Sequence, residues 1–290
     1  MSGAPLRLGT RTFGPDELVV MAVVNRTPDS FFTRGATYAE EAALEAVDAA
    51  VAGGAAIVDI GGVKAGYGDV VSAEEESRRV VGFVGRVRER HPDVVISVDT
   101  WRADVGDAVA RAGADLLNDA WGGHEPGLLE VAARHGVGYV CTHTAGLPPR
   151  TDPHRPAFDD VVADVRDALV ALAQRAEAAG VRSDGIVIDP AHDFGKATRH
   201  SLAVTRRLDE LTGLGWPVLV ALSRKDFVGE SLDLPADERL EGTLAATAVS
   251  AWLGARIFRA HDVVATRRVL DMVGCIRGTQ QPAVVRRGMA

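Results

Sequence analysis

One pattern repeats along the chain and constrains its fold more than any other feature. A short apolar, β-branched run ends in a polar residue, and a stretch with apolar residues at helical spacing follows. The runs that read as strands are Val19 to Asn25, Ala56 to Gly61, Val94 to Asp99, Asp115 to Asn118, Gly138 to His143, Ile186 to Asp189, Pro217 to Ser223 and Arg256 to His261. Helical spacing recurs between them, as in Tyr38 to Ala52, Ala73 to Arg90, Arg102 to Ala112, Asp159 to Ala179 and Glu238 to Trp252. Strands that are apolar throughout are buried on both faces, so their alternation with helices implies a parallel sheet. Eight such units in 290 residues predict a closed, single-domain (β/α)8 TIM barrel over residues 1–276. Leu6 to Phe13, broken by Gly9, reads as an N-terminal hairpin over one end of it. Thr144 to Ala157, which holds four of the 13 prolines, reads as a long loop after the fifth strand, and 277–290 as a mobile C-terminal tail.

Composition narrows the function classes. With 47% hydrophobic and 25% charged residues the chain has the material for a sizeable core, which excludes general disorder. Lys plus Arg 32 against Asp plus Glu 40 gives −8, and no basic run exceeds a dipeptide, so no nucleic-acid partner is expected. Cys141 and Cys275 are the 2 cysteines, too few for a disulfide framework or a four-thiolate zinc site, which fits a reducing cytoplasm. The N-terminus lacks the apolar core of a signal peptide. The uncharged stretch from Gly242 to Ala255 falls short of the roughly 18 to 20 residues that span a bilayer. The expectation is a cytoplasmic protein with no membrane partner.

In a barrel of this kind the C-terminal strand ends form the active face. Here the strands end in Asn25, Asp59, Asp99, Asn118, His143 and Asp189; the seventh ends at Ser223, with Arg224 and Lys225 just beyond, and the eighth carries Arg259 and His261. A single polar strand end is what any turn produces; eight together predict one polar rim. Asp99, Asn118 and Asp189 are rich in acceptors, and a carboxylate facing two parallel N–H donors makes a bidentate pair, as with a pterin or guanine-like ring. Lys225, Arg259 and His261, with Asn25, read as a cationic and amide cluster for phosphate oxygens or a Mg²⁺-bound diphosphate. Together they predict a heterocycle carrying a phosphate or diphosphate arm.

The segments MAVVNRTPDSF (Met21 to Phe31), DIGG (Asp59 to Gly62), SVDT (Ser97 to Thr100), LND (Leu117 to Asp119), DPAHDFGK (Asp189 to Lys196), SRK (Ser223 to Lys225), EGT (Glu241 to Thr243) and RAHDV (Arg259 to Val263) resemble dihydropteroate synthase, in that family's order and over nearly the whole chain. The resemblance implies a (β/α)8 barrel and a transferase of folate biosynthesis. Such an enzyme joins 6-hydroxymethyl-7,8-dihydropterin diphosphate to 4-aminobenzoate and releases diphosphate. It also implies a pterin pocket of Asp99, Asn118, Asp189, Phe194 and Lys225, and a diphosphate site of Asn25, Arg259 and His261. Lys225, Arg259 and His261 are the implied catalytic groups, Asn25 the implied Mg²⁺ ligand, and a homodimer the implied assembly. Loss of diphosphate leaves a cationic methylene, so neutralising the leaving group lowers the barrier and no protein nucleophile is needed.

The departures are as informative. Where the family reads DIGGESTRPG, this chain has DIGGVKAGYG (Asp59 to Gly68), so the Thr and Arg that help hold diphosphate and build the 4-aminobenzoate pocket are absent. Lys64 supplies a point charge, not a guanidinium fork. Where the family has DPGIGFGK, Ala191, His192 and Asp193 replace Gly, a hydrophobe and Gly, which predicts a changed backbone. Thr144 stands where a Met often follows the His. Three readings compete: a working synthase, a diverged pterin-binding homologue with little activity or another acceptor, and a methyltetrahydrofolate-binding methyltransferase component, against which Lys225 and RAHDV argue. His143 reads as a turn cap as readily as a functional group, and His192 beside Asp193 as loop polarity and not a metal pair. Cys141 reads as a small buried hydrophobe. The alanine-rich helix Thr243 to Ala255 reads as barrel packing or a subunit contact. The segment GGVKAGYG lacks Walker spacing.

Overall fold

A computed structural model of the chain describes residues 5–26, 40–64, 70–151 and 157–287. Residues 27–31 of the first motif, 38–39 of the first helical stretch, 65–68 of the altered second loop, 152–156 of the proline loop and 288–290 of the tail lie outside that set. Eight parallel strands form the central sheet: β3 (Val19–Asn25), β4 (Ile57–Gly61), β5 (Val95–Asp99), β6 (Leu116–Asp119), β7 (Gly138–Thr142), β8 (Ile186–Asp189), β9 (Leu219–Ala221) and β10 (Ile257–Ala260). Their spatial order is β8-β7-β6-β5-β4-β3-β10-β9. A parallel bridge between Ile188 and Val218 joins the two ends of that order, with Ile188 N–H donating to Pro217 O at 3.0 Å. The molecule is therefore the (β/α)8 barrel that the repeat predicts.

Strand alternation sorts the side chains into two layers. Val19, Met21, Ile57, Val95, Leu116, Val140, Val187, Leu219 and Ile257 fill the barrel interior. Their neighbours Val20, Val58, Ile96, Leu117, Tyr139 and Ile188 pack outward under the helices. Strands β1 (Leu6–Leu8) and β2 (Arg11–Phe13) pair antiparallel, Leu6 opposite Phe13. This is the hairpin the sequence predicts, and its Leu6, Leu8 and Phe13 join the interior cluster and seal the barrel at the N-terminal strand ends. Burying each such side chain stabilises by roughly 1.5–3 kcal/mol. Gly138 is required there, because a Cβ at that position would lie 2.4 Å from Leu8 and 2.8 Å from the Gly185 carbonyl oxygen.

The helices are α1 (Glu40–Ala52), α2 (Ala73–Arg90), α3 (Ala103–Ala112), α4 (Gly127–His135), α5 (Val161–Ala178), α6 (Thr198–Arg206), α7 (Asp209–Thr212), α8 (Asp226–Leu232), α9 (Leu240–Trp252) and α10 (Val263–Arg277). Asp160 begins α5 by accepting from the N–H of Val162 at 2.9 Å, satisfying a donor that the helix leaves free. The helices beyond the five stretches named from the sequence, α4, α6, α7, α8 and α10, are either short or interrupted by polar residues. Strand β6 starts at Leu116 and not Asp115, because the Asp115 carboxylate accepts from Ile96 N–H at 2.9 Å and pairs with Arg88. The described parts of the loop after β7 contain no helix or strand. Among the described residues no helix is long and apolar enough to cross a membrane.

Candidate functional site

The strands converge at their C-terminal ends on a cavity of about 230 Å³. Asn25 ends β3, Asp99 ends β5, Asn118 lies on β6, Asp189 ends β8, Phe194 and Lys225 follow β8 and β9, and Arg259 and His261 lie on and beyond β10. All eight line this one cavity. The rim is not polar at every strand end, however. Asp59 lies one layer lower, fully buried and beside Ser97 of β5 in the strand register. His143 follows an outward residue, Cys141, by two and belongs to the outer face. The residue that β7 sends inward is Thr142, which lines the cavity and which the sequence reading passed over.

Beneath the cavity Asp59 organises the charges. It accepts from Ser97 Oγ at 2.6 Å, from Asn118 Nδ2 at 3.2 Å and from Arg259 Nε at 2.6 Å. The other side of the guanidinium reaches Asp99 at 3.5 Å. Burial, with the charge of Asp59 adding to it, pushes the Asp99 carboxyl up to about 7, against the pull of Arg259. Asn118 thus directs its NH₂ down to Asp59, leaving its amide oxygen as an acceptor for a ligand N–H. Asp189 accepts from the N–H of Ala191 at 2.7 Å, and burial raises its pKa while Lys225 opposes the shift.

Each member of the cationic and amide cluster beyond Asn25 already has partners within the protein. Arg259 already faces two carboxylates. His261 shares a hydrogen bond of 2.9 Å between Nδ1 and Ser223 Oγ. Partial loss of water around the ring, which stays exposed on its outer side, and the neighbouring Arg259 push its pKa below the ordinary imidazole range, so the ring is neutral at pH 7. Lys225 donates to the His192 carbonyl and sits 4.7 Å from the centre of the Phe194 ring; burial lowers its pKa, with Asp193 and Asp189 opposing. Arg224 points away from the cavity. Its guanidinium holds Asp262 at 3.0 and 3.1 Å and its N–H donates to Thr243 Oγ1 at 3.1 Å, so the SRK, EGT and RAHDV segments brace one another and fix the stem of Lys225.

The turn after β8 does not relax where glycines are replaced. Ala191 has φ 51° and Asp193 φ 68°, the left-handed region that costs a non-glycine residue roughly 1–2 kcal/mol. The surroundings hold it there. Asp193 accepts from Ser201 Oγ at 3.0 Å and from the N–H of Phe227 at 3.2 Å. Lys196, buried, donates to the carbonyls of Ala191 at 3.2 Å and Phe194 at 3.0 Å. His192 is not exposed loop polarity: it is fully buried and bonded to Thr205 Oγ1 at 2.9 Å. Burial drives its pKa far down, so it is a neutral packing group. Cys141 is buried, and burial raises its thiol pKa, which makes it the inert hydrophobe expected.

Val63 and Lys64 line the cavity where the second loop begins. Val63 is buried against Trp101 and Trp121, with Phe194 packed on the same cluster; the rings of Trp121 and Phe194 meet edge to face at 5.4 Å. The described start of this loop is therefore an apolar, aromatic contact. A second cavity of about 710 Å³ lies outside β7 and along α5, bordered by His143, Asp164 and Leu172.

Residues 21–261 match the model of the pterin binding enzyme family. The chain is 53% identical to inactive dihydropteroate synthase 2 of Mycobacterium leprae (strain TN), over 97% of this chain and 98% of the relative. It is 38% identical to dihydropteroate synthase of Bacillus subtilis (strain 168), over 89% and 88%. Dihydropteroate synthase of Xanthomonas albilineans, solved with 4-aminobenzoic acid, superposes with a TM-score of 0.87 at 35% identity, covering 98% of this chain and all of that one. With the motifs, the barrel and the cavity in agreement, the chain belongs to the pterin-binding enzymes as a diverged member of the dihydropteroate synthase family.

Proposed function

We propose that the chain binds 6-hydroxymethyl-7,8-dihydropterin diphosphate but couples it to 4-aminobenzoate slowly or not at all. The observation that carries the binding half is the convergence of eight residues, from six strands and the loops that follow them, on one cavity. Asp189 takes the two parallel N–H donors of the ring, the Asn118 oxygen and Asp99 take further ring donors, and Lys225 and Phe194 cover the ring from one side. Asn25, Arg259 and His261 face the diphosphate arm. In this reading Lys225 and Arg259 are the catalytic cations and neutral His261 is a hydrogen-bond donor. An incoming diphosphate competes with Asp99 for Arg259, and Asp99, poised near neutrality, takes up a proton when it loses that partner.

The residues present fit the Mg²⁺ that the family resemblance implies. Asn25 lines the cavity, its Oδ1 lies where a Cβ on Gly61 would approach to 3.2 Å, and Mg²⁺ commonly takes one or two protein oxygens and completes its shell with phosphate and water. Asn25 would hold the ion, and the ion would supply charge neutralisation to the departing diphosphate.

Weak coupling is supported by the second loop, where Val63 and Lys64 stand for the family's Glu and Ser and Val63 is drawn into an aromatic cluster, and by the name of the relative from Mycobacterium leprae. The working synthase is the second reading, favoured by the intact set of rim residues. We also propose a homodimer through the outer face of α9 and α10, where Trp252, Met272 and Ile276 are 59%, 59% and 60% exposed, an apolar patch of the kind that marks an interface. The deciding experiment measures pterin binding by calorimetry and diphosphate release with and without 4-aminobenzoate. Binding without 4-aminobenzoate-stimulated release supports the proposal; stimulated release at about 1 per second or more establishes the synthase.

A further inference from the structure

Thr142 is 4% exposed, and its hydroxyl is buried with no hydrogen-bond partner among the described residues. A buried polar atom is ordinarily satisfied, so an orphan in a cavity wall marks a place where something else supplies the bond. The side chain points into the barrel. Val140, two residues earlier, belongs to the interior cluster, while Tyr139 and Cys141 pack outward, and period-two alternation puts Thr142 on the Val140 face. Although Thr142 borders both cavities, its side chain thereby belongs to the inner one. Across the parallel pair of β7 and β8, Thr142 stands directly opposite Asp189.

We propose that Thr142 is a specificity-determining residue whose hydroxyl donates to the ring acceptor flanking the two N–H donors held by Asp189. This rests on the pterin reading of the cavity, and the chemistry of the ring makes it specific. In a 2-amino-4-oxopyrimidine the N3–H and 2-amino donors are bordered by an acceptor on either side, N1 at one end and the 4-oxo group at the other. Whichever end faces β7, it accepts from a hydroxyl there. A carboxylate alone would take any paired donors; a carboxylate with a neighbouring hydroxyl donor selects rings with the acceptor next to them.

The test uses the full chain with Thr142→Val, which keeps the shape and removes the hydroxyl, and Thr142→Ser, which keeps the hydroxyl and removes the methyl. Affinity for 6-hydroxymethylpterin is measured by calorimetry, and ligand-free stability by thermal unfolding. Thr142→Val should lose roughly threefold to tenfold in affinity, as for one neutral hydrogen bond, while its ligand-free Tm stays level or rises because a buried orphan is removed. Thr142→Ser should bind within about twofold of the parent, since the same hydrogen bond remains. Parental affinity in Thr142→Val, or an equal loss in Thr142→Ser, overturns the proposal. A parent chain that fails to bind the pterin at all overturns the pterin reading and this proposal together, whereas binding that is indifferent to Thr142→Val removes this proposal alone.

Discussion

The ammonium of Lys196 donates to Nδ1 of His143 across 2.7 Å, and Nε2 of the same ring meets Asp164 of α5 at 2.8 Å. Because Nδ1 accepts, the ring is the neutral tautomer that carries its proton on Nε2 and donates it to the carboxylate. Burial, and then the nearby Lys196, push His143 down to about 4, in agreement with that tautomer. The turn bearing Asp189 and Phe194 is thus fastened through Lys196 to the outer helix layer. His143 and Lys196 do not line the cavity with the eight rim residues; they hold its wall.

That tether has a pH signature. Burial pulls Lys196 down to about 7, whereas the unfolded chain holds its proton to about 10.4. Between those values the unfolded state binds more protons, so this group makes stability rise with pH across the window. Asp99 acts in the other direction: its folded pKa of about 7 lies above the unfolded value of about 3.9, so its favourable contribution is lost as pH rises from 4 to 7. Urea midpoints should pass through a minimum near neutrality. Lys196→Met should remove the alkaline limb and Asp99→Asn the acidic one; identical profiles in parent and variants would refute the assignment.

Asp189→Asn exchanges an acceptor pair for one acceptor and one donor, setting N–H against the ring's N–H. The amide oxygen can still receive the Ala191 N–H now held at 2.7 Å, so the turn should keep its shape. Pterin affinity should fall by about 2–5 kcal/mol, the range for removing one partner of a buried charged contact. Unchanged affinity in a folded variant would contradict the role given to Asp189.

Arg259→Ala carries a stability effect that the motif alone does not disclose. It strips the cation from Asp59, which is fully buried, and breaking such a pair destabilises by about 3–5 kcal/mol. Adding Asp59→Asn should restore part of the Tm. In the rescued double variant, affinity for the dihydropterin diphosphate should drop far more than affinity for the bare hydroxymethylpterin. Equal losses for both ligands would show that Arg259 does not serve the diphosphate arm.

The rim was legible because Asn25, Asp99 and Asp189 close their strands and Asn118 stands one residue from the end of its own, and a strand end in a barrel is also a place in space. Thr142 carries a signal of its own, because counting by two from Val140 reaches it, but the more reactive His143 beside it stands out in the sequence. The same count from Ile57, an interior residue, puts Asp59 in the middle layer, where Ser97, Asn118 and Arg259 surround it. The pairing of Lys196 with His143 had no local signal. It joins residues 53 positions apart, and only the packing of α5 against β7 and β8 brings the third member, Asp164, to them.

The dimer proposal predicts a separable surface. Trp252 is 59% exposed on α9, so Trp252→Asp should change monomer stability by no more than about 0.5 kcal/mol. It should halve the mass seen by light scattering in dilute solution. A parent chain already monomeric at micromolar concentration would dispose of the interface.

The last prediction concerns the second loop, where the chain and its family part. If Val63 and the four residues after it no longer form an acceptor pocket, the protein should bind pterin and diphosphate, couple 4-aminobenzoate slowly, and resist sulfonamides that mimic that acceptor. Val63 is drawn into contact with Trp101 and Trp121, so one substitution would leave the aromatic contact disrupted without rebuilding the pocket. Residues of one loop act jointly, and their effects need not add. The five changes Val63→Glu, Lys64→Ser, Ala65→Thr, Gly66→Arg and Tyr67→Pro, made together, should therefore raise 4-aminobenzoate-dependent diphosphate release by at least about tenfold, equivalent to 1.4 kcal/mol of barrier. Pterin affinity should stay the same, because Asp189, Asn118 and Lys225 are untouched. A gain in pterin affinity with no gain in release would show that the loop had been shaping the heterocycle pocket and not the acceptor site.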